Sequence, residues 1–185
     1  MAKKSTRNTR GRIVSAAWKL FYEQGYELSG TSKGSFYHYF DGKDALLSTL
    51  SSLFDEKYEE LTGLLTPEMT AMEQLLFLNR ELFHMIEDSI SLDLLARLYS
   101  TQLTTNGEKH LLDHNRIYYK LLRKIIAKGQ AEGQLSSRSN VNEMVKLYAL
   151  CERALLYDWC LCAGEYALTE YSAKVLPGFL SSFLP

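Results

Sequence analysis

Proline is scarce in this chain, with only Pro67, Pro177 and Pro185 present. Long helices with short connections are therefore permitted, and a many-stranded sandwich is disfavoured. The three cysteines, Cys151, Cys160 and Cys162, are odd in number, late and clustered, which excludes a disulfide-built secreted scaffold. β-Branched aliphatics are few: 6 Ile and 4 Val stand against 32 Leu, a balance that favours helix over strand and predicts an all-α protein. No apolar run follows the basic start, so neither a signal peptide nor a membrane span is expected, and the cytoplasm is the expected location. There is no P-loop, dinucleotide glycine pattern or serine nucleophile elbow, so an enzyme is not expected and no cofactor is implied.

What is present is enough to fold: 185 residues, 46% hydrophobic and 23% charged, the make-up of one or two compact domains. The net charge of -1 hides an asymmetry. Residues 1–47 carry eight bases and four acids, a sum of +4, whereas the remaining 138 residues sum to -5. A basic head on an acidic body suits a phosphate-binding module joined to a regulatory or assembly domain.

In the head, Ile13, Ala16, Ala17, Leu20 and Phe21 form one apolar stripe at helical spacing, which Thr9 is placed to cap and Gly25 to end. A second stripe, Phe36, Tyr39 and Phe40, starts at Ser32 and leaves Lys33, Ser35, Tyr37 and His38 on the other side. Those donors, with Gly34 admitting close approach, suit phosphates and base edges; the plainer alternative is that Tyr37 and His38 only pack. Together with Lys43-Asp44-Ala45-Leu46-Leu47, the segment from Thr9 closely resembles the DNA-binding domain of tetracycline-repressor (TetR) family transcription regulators. The resemblance implies a helix-turn-helix over residues 1–47 whose recognition helix begins near Ser32 and enters the major groove. It also implies that Ser32, Lys33, Gly34 and Ser35 lie nearest the bases, with Tyr37, His38 and Lys43 on phosphates. The helix opening near Lys43 would add its N-terminal amides to a phosphate site.

The family places a whole helix between the Gly-Tyr pair and the recognition helix, but here only residues 26–31 intervene. These cannot supply two helical turns and a connection as well. Either the second helix is deleted, leaving Phe36 and Phe40 without their packing partner, or residues are missing from the sequence between Glu27 and Leu28. Leu28-Ser29-Gly30, which reads as a helix end running into a turn, favours the second. Gly11 and Gly42 stand where the family often has an acid and a serine cap.

Residues 48–185 form the expected ligand-binding and dimerisation domain. Its periodicity predicts helices over 43–64, 67–86 opened by Thr66 and Pro67, 89–103, 108–131, 141–162 opened by Asn140 and Glu143 in capping-box spacing, and 166–183. The last two carry more apolar residues than one stripe needs: Leu147, Leu150, Ala154, Leu155, Tyr157 and Leu161, then Leu168, Tyr171, Val175, Phe179 and Phe183. Part of that surface is expected to pair with a second copy as a four-helix bundle, as the family analogy also suggests. Phe77, Phe83, Met85, Tyr99, Gln102, Leu103, Tyr118, Tyr119, Tyr148 and Trp159 point towards a common interior suited to an apolar or cationic small molecule. Of these, Phe83, Tyr99, Leu103, Tyr118, Tyr148 and Trp159 are the expected ligand-touching set, although aromatics at this spacing also make ordinary core.

His110 and His114 fall at i and i+4 of a predicted helix, beside Asp113, but further ligands are lacking and no metal site is expected. The cysteines, on an apolar helix, read as small buried hydrophobes rather than a redox or soft-metal site. The sequence therefore describes a ligand-responsive regulator, a repressor by family analogy, that binds a palindromic double-stranded DNA operator as a homodimer and is released by a small-molecule effector. The alternative is an all-α small-molecule-binding protein or enzyme without DNA binding.

Overall fold

The computed structural model describes residues 43–104 and 109–185, with side chains from residue 50 onward. The stretches before and between lie outside the described residues, and with them the expected DNA contacts Ser32, Lys33, Gly34, Ser35, Tyr37 and His38 and the Glu27–Leu28 junction. The described backbone is all helical: α1 Lys43–Thr62, α2 Ala71–Ser89, α3 Leu92–Thr104, α4 Ile117–Ala131, α5 Val141–Leu161 and α6 Leu168–Leu180. Single 3-10 turns cover His110–Leu112 and Ser181–Phe183. Residues 47 and 48, the expected domain boundary, lie inside the continuous helix α1.

Helix starts follow local chemistry, and two differ from the sequence expectation. Helix α2 opens at Thr70, not at Thr66 and Pro67, because Thr70 and Glu73 complete a reciprocal capping box. The Thr70 side chain accepts from the Glu73 N–H at 3.2 Å while the Glu73 carboxylate accepts from the Thr70 N–H at 2.8 Å. The expected helix over 108–131 is broken, since α4 begins only at Ile117 after a turn in which Asn115 N–H donates to the Asp113 side chain. Such a side-chain bond offers the backbone an alternative to the helix. His110 and His114 consequently do not share a helical face, and among the described residues no cluster of three metal-ligating side chains occurs. Helix α5 opens as expected, with Asn140 and Glu143 forming the second capping box.

The core fills the space between α1, α2, α4, α5 and α6, with Leu50, Leu75, Leu78, Phe83, Leu122 and Tyr148 fully enclosed. Gly129 on α4 is required by this packing, since a Cβ there would come within 2.6 Å of the Ala71 Cβ and 2.8 Å of Leu135. Helix α5 buries one stripe, including Val145, Tyr148, Leu155 and Trp159. It leaves a second one outside: Leu147, Leu150, Tyr157 and Leu161 are 39–66% exposed, with exposed Ala154 between them. Tyr171 on α6 is also exposed. Among the described residues no helix is long and apolar enough to cross a membrane.

Candidate functional site

Three of the most buried polar side chains of the body form one chain. Glu152 sits midway along the buried stripe of α5 and is 4% exposed. Its Oε2 accepts from the Tyr118 hydroxyl on α4 at 2.6 Å, and its Oε1 accepts from Asn79 Nδ2 on α2 at 2.9 Å. Asn79 Oδ1 in turn accepts from the Ser172 hydroxyl on α6. Four helices thus converge on one carboxylate. Burial raises its pKa, and the donors Tyr118 and Asn79, then the neighbouring Tyr148 hydroxyl and the charge of Arg153, oppose that rise. Desolvation also pushes the phenols of Tyr58, Tyr118 and Tyr148 well above their usual value, chiefly by burial and secondly by the Glu152 charge.

Beside this carboxylate lies a cavity of about 60 Å³. Its walls are Phe54 and Tyr58 of α1, Leu82 and Ile86 of α2, Tyr99 of α3, Leu111, Arg116, Tyr118 of α4, and Glu152, Arg153 and Leu156 of α5. The Tyr58 and Tyr118 rings are 4.9 Å apart, and Tyr118 meets Tyr119 edge-on at the same distance. Arg116, at the start of α4, clamps α1: Nε and Nη2 donate to the Asp55 carboxylate at 3.0–3.2 Å and Nη2 also to the Ser51 carbonyl at 3.0 Å. Its Nη1 donates to the His110 carbonyl at 3.3 Å. Arg153 donates once, from Nη1 to the Tyr119 hydroxyl at 3.2 Å, and that hydroxyl donates to the Leu111 carbonyl. A partly apolar cavity lined also by a carboxylate, two guanidinium groups and phenols is equipped to hold a small polar-headed molecule.

Of the six residues expected to touch ligand, the cavity brings together Tyr99 and Tyr118. Phe83 and Tyr148 are fully buried in the core, where the Tyr148 hydroxyl donates to the Leu75 carbonyl. Trp159 donates to the Tyr166 carbonyl, and Leu103 is 69% exposed. Sequence reading passed over Glu152, Arg153 and Asn79. The signal was available: Glu152 interrupts the apolar stripe of Tyr148, Leu155 and Trp159, and Asn79 interrupts Leu75, Leu78 and Leu82. A buried ionisable group in a cleft marks a functional candidate.

A larger groove of about 560 Å³ runs between α2 and α6 past Leu76, Phe77, Asn79, Ser172 and Pro177. Its charged rim is spoken for, with Glu73 in the capping box and Arg80 on Glu81 at 3.1 Å. The cysteines are free, and burial lifts the thiols of Cys151 and Cys160 to about 11, away from the reactive thiolate.

Residues 13–50 match the sequence model of bacterial regulatory proteins of the tetR family. The fold is similar to that of the transcriptional regulator FadR from Bacillus subtilis, solved in complex with stearoyl-CoA, at 22% identity and a TM-score of 0.68 over 93% of this chain and 98% of that one. The fatty acid degradation regulator FadR from Bacillus halodurans is similar at 19% identity and a TM-score of 0.68, over 94% of this chain and 99% of that one. No curated relative matches the sequence. The N-terminal segment that matches the tetR-family model thus runs into the first helix of an all-α body whose fold is similar to that of these two regulators.

Proposed function

We propose that this regulator is a ligand-responsive repressor, acting in the cytoplasm, that binds a palindromic operator as a homodimer and leaves it when a small molecule occupies the Glu152 cavity. The observation that carries the reading is the course of α1. Its first turns belong to the segment matched to the family's DNA-binding domain, and its later turns supply Phe54 and Tyr58 to the cavity wall. A ligand that favours one position of α1 over another shifts the head by linkage, to the extent of its differential affinity for the two states. Ser32, Lys33, Gly34 and Ser35 are proposed to face the bases, and Tyr37, His38 and Lys43 the phosphates. The exposed stripe of Leu147, Leu150, Tyr157 and Leu161 is proposed to pair with its counterpart on a second copy, setting two heads about 34–36 Å apart for successive major grooves.

The Bacillus subtilis regulator of this fold was solved with stearoyl-CoA, which supports a ligand role for the body. The cavity here, about 60 Å³, has room for roughly four to six heavy atoms at the volume a water needs, not for a long acyl chain. Tyr99 and Tyr118 are proposed to touch the effector directly, with Phe83 and Tyr148 supporting the wall and Leu103 and Trp159 outside it.

The test is operator release, followed by fluorescence anisotropy on DNA selected by the protein from a random pool. A small molecule that releases the wild type should fail on Leu111→Trp, in which a larger side chain fills the cavity, while that variant still binds DNA. Equal release of both proteins would refute the cavity as the effector site.

A further inference from the structure

We infer that the effector carries a carboxylate, anchored by the Arg153 guanidinium and the hydroxyls of Tyr58 and Tyr99. The inference rests on the reading of the cavity as the effector site and names the chemistry of its occupant.

Donors and acceptors around the cavity do not balance. Both Glu152 oxygens already accept, from Asn79 and Tyr118. The Tyr119 hydroxyl donates to the Leu111 carbonyl, and Arg116 is spent on Asp55 and on the Ser51 and His110 carbonyls. Arg153, in contrast, has five N–H donors and uses one, on Tyr119. It lines the cavity close enough to Tyr99 for its charge to act on that phenol. The Tyr58 and Tyr99 hydroxyls donate to no protein acceptor among the described residues. Both residues line the cavity, where an acceptor would complete them.

The missing partner is an acceptor with negative charge. A carboxylate brings two oxygens with about four lone-pair sites and matches the guanidinium fork. An ammonium brings only donors, which leave Arg153, Tyr58 and Tyr99 unmatched, and meets the Arg153 charge. A neutral alcohol offers one oxygen to three donors. Phe54, Leu82, Ile86 and Leu156 form the remaining wall, which suits a short apolar tail rather than a second charged group.

The probes are butyrate, butylamine and butanol, each of about five or six heavy atoms, titrated calorimetrically into the full-length protein. Butyrate should bind at least tenfold more tightly than the other two. Its affinity should fall about ten- to hundredfold in Arg153→Met, the loss expected for a charge-assisted hydrogen-bonded pair, with partial recovery in Arg153→Lys. Far-ultraviolet circular dichroism of the variants separates lost binding from lost folding. No butyrate binding at millimolar concentration, equal binding by Arg153→Met, or tighter binding of butylamine would each overturn the carboxylate. Butylamine or butanol binding that is tighter than that of butyrate and disappears in Leu111→Trp would overturn the carboxylate alone and leave the cavity as the effector site.

Discussion

Asn79 is the joint through which α2 connects the cavity wall to α6, and its removal has a calculable cost. Replacing it by alanine deletes the 2.9 Å donor to Glu152 and the acceptor of the Ser172 hydroxyl, in a region where the three side chains are 2%, 4% and 1% exposed. A hydrogen bond to an ionised group contributes about 1.5–3 kcal/mol and a neutral one about 0.5–1.5 kcal/mol, so Asn79→Ala should lose about 3 kcal/mol. For a chain of this length that lowers the Tm by about 6–12 °C. The loss should also depend on pH. The Glu152 pKa is raised by burial, and the Asn79 donor is one of the groups holding it down. A carboxyl whose folded pKa is raised favours the folded state at low pH, and that advantage disappears as pH rises through the folded value. Removing Asn79 raises it further, so the deficit should be larger at pH 8 than at pH 5. Urea unfolding at fixed protein concentration, followed by Trp159 fluorescence in a Trp18→Phe background, measures both. A loss under about 1 kcal/mol, or one equal at the two pH values, would refute the claim that this network holds an ionisable core.

Glu152→Gln should reduce the pH dependence of wild-type stability above about pH 4.5, removing a destabilisation that grows towards neutrality; parallel stability curves for the two proteins would show that Glu152 does not titrate in the fold. Thr70→Ala should cost about 1 kcal/mol by removing the capping box of α2, read by the same unfolding assay. Leu150→Glu, on a residue 52% exposed, should leave the fold intact and convert a dimer to a monomer in light scattering; an unchanged mass would remove α5 from the pairing surface. Lys33→Ala should weaken binding to all DNA sequences and flatten its salt dependence, whereas Gly34→Leu should abolish operator binding in a folded dimer. Retained binding by Gly34→Leu would refute its placement against DNA.

The helical class was readable because it rests on composition, 32 Leu against ten β-branched aliphatics, and the Asn140 start because a capping box is local in sequence. The α2 start was misplaced because two threonines four residues apart compete, and only Thr70 has an acid three residues on. The break before Ile117 was hidden because the apolar spacing continues through it, while the turn is decided by the Asp113 side chain and by Arg116 reaching 61 residues back to Asp55. Of the residues expected to touch ligand, Tyr99 and Tyr118 meet at one cavity while the others lie elsewhere, since a stripe gives the buried face of a helix without telling core from cavity. Glu152 and Asn79 break their stripes visibly, yet their partnership spans 73 residues and arises only from packing.

The regulatory reading is tested most directly by selecting DNA from a random pool with the full-length protein. Recovery of a palindrome whose half-sites are about 34–36 Å apart, one helical turn or a multiple of it, is the expected result. Failure to enrich any sequence at low salt, or enrichment of a single site without two-fold symmetry, would contradict the proposed paired heads.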